Sequence, residues 1–398
     1  MGRAVFYFPR PRGRKKVFSM ALDTFRSHFS QTTQNGIFFD NASMGPVAPE
    51  VTAAMTACME LRQAMPMKYY QYAARVFPAC QALLARLIGS RPEEIAFTEN
   101  VAYGINSAAN SLPLQAGDNV ILCDREFASN VYPWLRLQKA KGVEARIIPN
   151  DGGGLTVDRL EQYADARTRA VTVSSVEFSD GFATDLEAIG SWCQAHGAYL
   201  IVDCAQSLGV MPMDVKRFHI DFLAGLASKW LLGPFSTGFL YVREDLAREL
   251  EPPFAGADSV KIDVDSVDYC LDWREGAARF ELGLPNAPGI AGLHASLQLM
   301  DQVGFEAIRR EAWQVSGYLI DGLKELGADL APCVLRDDTR STIVSFSTPD
   351  PQQTYQYLRG RDIACSLRCG LIRMGIHGYN TTQEADQVLE VLRPHLAR

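Results

Sequence analysis

Short apolar runs alternate with longer stretches of helical spacing through the middle of the chain. "NVILCD" (119–124) is a run with no polar break inside it, the pattern of a strand buried on both faces. "NVYPWLRLQKAKG" (130–142) then places apolar residues at helical intervals and stops at Gly142. "EARIIPN" (144–150) and "RAVTVSSV" (169–176) predict two further strands. "DLEAIGSWCQAHG" (185–197) predicts a helix closed by glycine, and "AYLIVD" (198–203) another buried strand. "DFLAGLA" (221–227) and "TGFLYVR" (237–243) complete the series. Strand–helix–strand alternation predicts an α/β fold with a largely parallel sheet. Ligands of such sheets bind beyond the carboxyl ends of the strands.

The texture changes near 285–295. Residues 290–327 read as two helices around Gly304, followed by a strand at 341–348, a helix around 352–359, a strand at 370–376 and a last helix from about 382. This predicts a smaller α+β domain. The expected division is a tail and packing segment over 1–35, a large domain over 36–288 and a small domain over 289–398.

Composition narrows the function. The chain has 398 residues and a net charge of −7, which gives no electrostatic footprint for nucleic acid. The one basic block, "RPRGRKK" (10–16), reads as part of a tail, with Met20 as an alternative start. No run reaches the ~20 apolar residues of a membrane-spanning helix. Nine cysteines, with no CxxC pair, fit a reduced, cytoplasmic chain without a metal site.

Candidate chemistry gathers at the strand ends. "AYLIVD" ends on Asp203, with Gln206 just after it, and "LASKWLLGP" (226–234) places Lys229 among apolar residues. Taken alone, Lys229 reads equally as a lysine snorkelling to water or as a reactive amine with a lowered pKa. Asp203 taken alone reads as a cap. Together they suit pyridoxal phosphate (PLP), which needs a lysine for its Schiff base and an acid against its pyridine nitrogen.

At these residues the chain resembles the class V aminotransferase group of fold-type I PLP enzymes. That group includes cysteine desulfurases, selenocysteine lyases and isopenicillin N epimerase-like proteins. "VDCAQSLGVMPMDV", "DFLAGLASKWLLGPFSTGFLYV", "FFDNASMGPVAPEV", "IAFTENVAYGIN", "REFASNVYPW", "RFELGLPNAPGIAGL" and "LIRMGIHGYNTTQEADQVLEVL" carry the resemblance. It implies a mostly parallel, seven-stranded-type sheet in the large domain and a homodimer with sites at the subunit interface. It also implies roles for particular residues. Lys229 would bond the cofactor and move the Cα proton. Asp203 would face the ring nitrogen, Gln206 the phenolic oxygen, and Phe127 the ring face, where desulfurases usually have histidine. Asn100, Val101, Ala102 and Ser228 would serve the phosphate. Arg373 would bind the substrate α-carboxylate, with Asn41 and Arg368 nearby.

The departures lie around the phosphate. Val101, Ala102, Leu226 and Leu284 stand where relatives usually carry hydroxyl residues, and Ser228 where they carry histidine. Phe178 stands at the place of an asparagine. Cys369 lies only four residues before Arg373. If the strand at 370–376 extends back to it, Cys369 shares a face with Leu371 and Arg373 about 13 Å from the arginine. That geometry predicts no sulfur transfer through Cys369, unless the chain bends at Gly370.

The resulting expectation is an enzyme acting at Cα of a small amino acid, first by aminotransferase-type chemistry with a 2-oxo acid partner. The alternatives are a C–S lyase or cysteine desulfurase, an epimerase, and a non-catalytic partner or regulatory protein.

Overall fold

A computed structural model describes residues 22–150, 154–261 and 269–396, so the basic block at 10–16 lies outside the described residues. The first strand, β1 (Ile37–Phe38), lies apart from the main sheet. The apolar runs form that sheet from β2 (Ile95–Thr98), β3 (Asn119–Cys123), β4 (Glu144–Ile148), β5 (Thr168–Ser174), β6 (Tyr199–Asp203), β7 (Phe222–Leu226) and β8 (Gly238–Val242). The order is β2-β8-β7-β6-β5-β3-β4, and only β8 runs against its neighbours. The carboxyl ends of the other six strands therefore share one edge.

The sheet is buried on both faces, which is why its strands read as unbroken apolar runs. In β6, Leu200 and Val202 enter one apolar layer with Leu84, Val173 and Leu293. Ile201 enters the opposite layer with Ile105, Trp134 and Leu240. The expected helices follow, at Tyr132–Lys141 and Leu186–His196, each ended by a glycine in the left-handed region.

A four-stranded antiparallel sheet forms from β9 (Asp329–Leu330), β10 (Ile343–Ser347), β12 (Ser366–Arg368) and β13 (Leu371–Gly375), in the order β12-β13-β10-β9. Between β10 and β12 lies β11 (Ile363–Ala364), which pairs in parallel with β1. Asp40 bridges to Gly375 just beyond this pair, so the loop after β1 crosses to the end of β13. Near the amino-terminal end of the described chain, Arg26 reaches the Tyr379 carbonyl and pairs with Glu384. Helices Pro49–Ala64 and Lys68–Ile88, which pack on Ala287–Val303, add to the expected elements.

One expectation is corrected. The strand does not extend back to Cys369. Arg368 pairs with Leu371, and Cys369 (φ 48°) and Gly370 (φ 81°) form the two-residue turn between β12 and β13. Two successive left-handed residues suit the twist of a tight hairpin, and strand backbone cannot adopt them.

Candidate active site

β6 and β7 end side by side at the shared edge and supply the floor of the site. Asp203, the last residue of β6, is buried. Its Oδ1 accepts the Ala205 N–H at 2.8 Å. Burial pushes its carboxyl up to about 6, against the opposing pull of the Ala205 N–H and the Lys229 charge. Lys229 follows β7 on a backbone clamped from outside. Gly45 donates to the Ser228 carbonyl at 2.8 Å. A Cβ at Gly45 would stand 2.1 Å from the Lys229 carbonyl oxygen, so only glycine lets the loop approach. Burial lowers the Lys229 amine to about 8; Asp203 and Asp40 hold it up, while Arg373 and Arg368 push it down. About a tenth of it is then neutral at pH 7, against a far smaller share for an ordinary lysine, and that neutral amine is the nucleophile. Gln206 is fixed by two bonds, donating to the Ala42 carbonyl and accepting from Trp230 Nε1, each at 2.9 Å. Its second amide hydrogen remains available.

The small sheet supplies the opposite wall. Arg373 on β13 is 2% exposed. Nε donates to Ser366 Oγ and one terminal nitrogen to Ser43 Oγ, both at 2.9 Å, and the other to the Phe178 carbonyl. Asp40 lies 3.8 Å away. Burial lowers the guanidinium to about 10 and raises the Asp40 carboxyl. Asn41 is fully buried, and its Oδ1 accepts the Tyr379 hydroxyl while its Nδ2 has no partner. Arg368 stands two residues along β12 from Ser366 and shares its face. It is exposed, donates to the Leu367 carbonyl, and acts electrostatically on Lys229, Arg373 and Asp40.

Phe127, after β3, covers the lysine with its ring centroid 5.7 Å from Lys229 Nζ. It is 44% exposed and meets Phe178 edge-on at 5.2 Å. The phosphate candidates lie after β2. Asn100 caps helix Val101–Ser111 by accepting the Tyr103 N–H at 2.9 Å. The first N–H groups of that helix are free to meet an anion. The Val101 side chain is buried, Ala102 is half-buried, and Ser228 is half-buried on the other side.

The structure brings Lys229, Asp203, Phe127, Arg373 and Arg368 together, with Gln206 bonded to Ala42 of the loop that carries Asn41. Sequence reading missed Asp40, Ser43, Ser366 and Tyr379, which arrange the arginine and Asn41. These residues are distant in the chain, and no local signal announces them. Phe178 holds Arg373 by its backbone carbonyl, so its role is independent of the side chain that departs from the family pattern. Among the described residues no group of His, Cys, Asp or Glu could hold a metal, and no helix is long and apolar enough to cross a membrane.

A family model described as "Aminotransferase class-V" matches residues 37–388. A probable cysteine desulfurase of Methanothermobacter thermautotrophicus is 32% identical over 387 residues, covering 89% of this chain and 94% of that protein. Among solved structures, a C-DES variant with glycine covalently linked to its PLP cofactor superposes with a TM-score of 0.86 at 25% identity, over 93% of this chain and 99% of that one. The cystine C–S lyase C-DES in complex with its product cysteine persulfide gives 0.83 at 25% identity, over 91% and 98%.

Proposed function

This chain belongs to the class-V aminotransferase family, and from that premise we propose that it uses pyridoxal phosphate to cleave the C–S bond of a small sulfur-containing amino acid. In this reading the sulfur leaves without passing through a cysteine of the protein. The observation that carries it is the two-residue turn at Cys369 and Gly370. A thiol that accepts sulfur and hands it on needs a segment with room to swing. Cys369 instead sits in a turn closed by the Arg368–Leu371 pair. Cys58, Cys80, Cys123, Cys193, Cys204, Cys333 and Cys365 are buried, and the other exposed cysteine, Cys270, lies on the segment leading to Trp273, which bridges to Val260 away from β13. The aminotransferase-type chemistry first expected from the sequence has weaker support than this alternative, because the relatives are named for C–S chemistry.

The residues present fit the cofactor. Asp203 is a buried carboxylate with a single side-chain hydrogen bond, a site that a protonated ring nitrogen would complete. Lys229 is an amine already lowered by burial, and the 101–111 helix offers its N-terminus. The bound cofactor supplies an electron sink for bonds at the substrate Cα. Arg373 and Asn41 Nδ2 then hold the substrate carboxylate, Lys229 moves the Cα proton, and Phe127 excludes water from one side. Arg368, one step further out, faces a second anionic group on the substrate, as in cystine. The reading includes a homodimer, supported by the exposed apolar residues Phe235, Phe254, Tyr269, Leu271 and Leu284.

The test is a product assay on purified, PLP-loaded protein with L-cystine and L-cysteine. Pyruvate and ammonia are expected, with persulfide or sulfide, and no need for a 2-oxo acid. Alanine as the carbon product would replace this reading with a desulfurase, and turnover only with a 2-oxo acid would replace it with an aminotransferase.

A further inference from the structure

Two glutamates lie behind the aromatic wall, outside the roles assigned above. Glu126 follows β3 and immediately precedes Phe127. Glu177 follows β5 and immediately precedes Phe178. Both are buried, at 6% and 2% exposure; Glu126 is anchored on Ser174, three residues before Glu177, and its carboxyl lies within hydrogen-bonding reach of Glu177. Neither forms an ion pair among the described residues.

The donors are shared unequally. Glu126 Oε1 accepts the Ser174 N–H at 2.7 Å. Its Oε2 accepts the Ser174 hydroxyl at 2.7 Å and Asn130 Nδ2 at 2.8 Å. Asn130 is itself fixed by the Thr172 hydroxyl. Glu177 receives none of these donors, and its Oε2 has no partner. Two carboxylates in contact repel, and a carboxyl–carboxylate hydrogen bond needs one proton. Glu126, with three donors, is built as the acceptor. The proton therefore belongs on Glu177.

We propose that Glu177 carries this proton and donates it to Glu126, forming an acid clasp that positions Phe127 over Lys229 and the Phe178 carbonyl on Arg373. The clasp ties together two chain segments 51 residues apart, and each segment passes directly into a wall residue. Burial raises both carboxyls, and the Glu126 charge raises Glu177 further. The surrounding groups reinforce this. Asp203 and Asp180 bear on the pair, and Cys123, Asp124 and Cys333 lie around it. Arg125 acts on Asp180. A buried acid held protonated loses stability as pH rises from its unfolded value toward its folded one, because the folded state binds the extra proton. Alkaline pH should therefore open the clasp, loosening Arg373 and the aromatic wall.

The positioning roles rest on the proposed function, but the proton does not. Infrared spectroscopy of the PLP-loaded protein at neutral pH should show a buried protonated carboxyl that Glu177→Gln removes. That variant keeps a donor toward Glu126 and cannot ionise. It should hold the KM of the best amino-acid substrate within about twofold of native, and should lose the native rise in KM at alkaline pH. Glu177→Leu, with no donor, should raise KM by about tenfold while changing kcat less. Apoprotein melting should fall with alkaline pH more steeply for native protein than for Glu177→Gln. An infrared spectrum unchanged by Glu177→Gln would overturn the clasp, whatever reaction the enzyme runs. The same alkaline rise in KM for native protein and Glu177→Gln would overturn its positioning role.

Discussion

The carboxylate end and the phosphate end of the cleft are built to different standards. At the carboxylate end, Arg373 is fixed by Ser366, Ser43 and the Phe178 carbonyl, with Asp40 behind it. Separate chain segments converge on one guanidinium, so its position is over-determined. At the phosphate end the chain presents Asn100, whose side-chain oxygen is spent on the Tyr103 N–H, then an apolar Val101 and Ala102. What remains there is backbone at a helix start and Ser228. The contrast teaches where this chain concentrates its polar contacts: in the proposed reading, substrate orientation would rest on side chains and the cofactor phosphate on backbone.

The largest effect expected comes from the floor that serves both ends. Asp203→Asn keeps the shape and removes the charge. A charge pair at ~4 Å and an effective dielectric of ~20 is worth about 4 kcal/mol. Turnover should fall by up to about a thousandfold, less where solvent screens the pair. Steady-state kcat measures this, and an unchanged kcat would remove Asp203 from the ring nitrogen.

Breaking the over-determined end comes next. Arg373→Gln removes the charge that, in the proposed reading, meets the substrate carboxylate, and leaves Asp40 without its cation. A charged hydrogen bond is worth ~1.5–3 kcal/mol, so kcat/KM should fall by about ten- to hundredfold. PLP affinity, measured by titrating apoprotein, should stay within about threefold, since the other end holds the phosphate. A matching loss of PLP affinity would show that the two ends are not separate.

The under-determined end can be sharpened instead of broken. Ala102→Thr places a hydroxyl in the first turn of the 101–111 helix, on a side chain that is half-buried where that of Val101 is buried. One added hydrogen bond to a phosphate should tighten PLP binding by about three- to tenfold, with substrate KM unchanged. No gain in affinity would mean that the helix start is not the phosphate site.

How much of this is legible in the sequence follows a physical line. The strands are legible because both faces of the main sheet are buried, so "AYLIVD" and "NVILCD" carry no polar interruption. Lys229 and Asp203 stand out because a charged group at the end of such a run is costly and so conspicuous. The helix at 49–64, with only Val51 and Cys58 buried, escapes the spacing rules, and so does β12, a strand of three residues, whereas the helix at 68–88 carries a legible stripe of Val76, Cys80, Leu84 and Leu87. The partners of Arg373 come from residues 40, 43 and 366 and from the 178 carbonyl, and no spacing rule links them. The Glu126–Glu177 contact is equally silent, since each glutamate alone looks like an ordinary surface acid. The Cys369 turn fails for a different reason. Cys-Gly is not among the pairs that announce a tight hairpin, so a run of apolar residues after it reads as continuous strand.

The smallest effect expected is at that turn, and it tests the carboxylate end from its rim. Cys369 holds a left-handed φ of 48°, a conformation that costs most residues about 1–2 kcal/mol. Asparagine tolerates it, and Asn-Gly is the favoured pair for a two-residue hairpin turn. Cys369→Asn should therefore stabilise the protein by ~0.5–1 kcal/mol, read as a higher melting temperature. It leaves Arg368 and Arg373 in register on either strand, so kcat/KM for L-cystine should change less than about twofold. If Cys369 instead carried sulfur, the same substitution would abolish sulfide release from L-cysteine, and native protein incubated with L-cysteine would show a persulfide on Cys369 by mass spectrometry. Those two results together would make the turn a working part of the reaction and replace the lyase reading with a desulfurase.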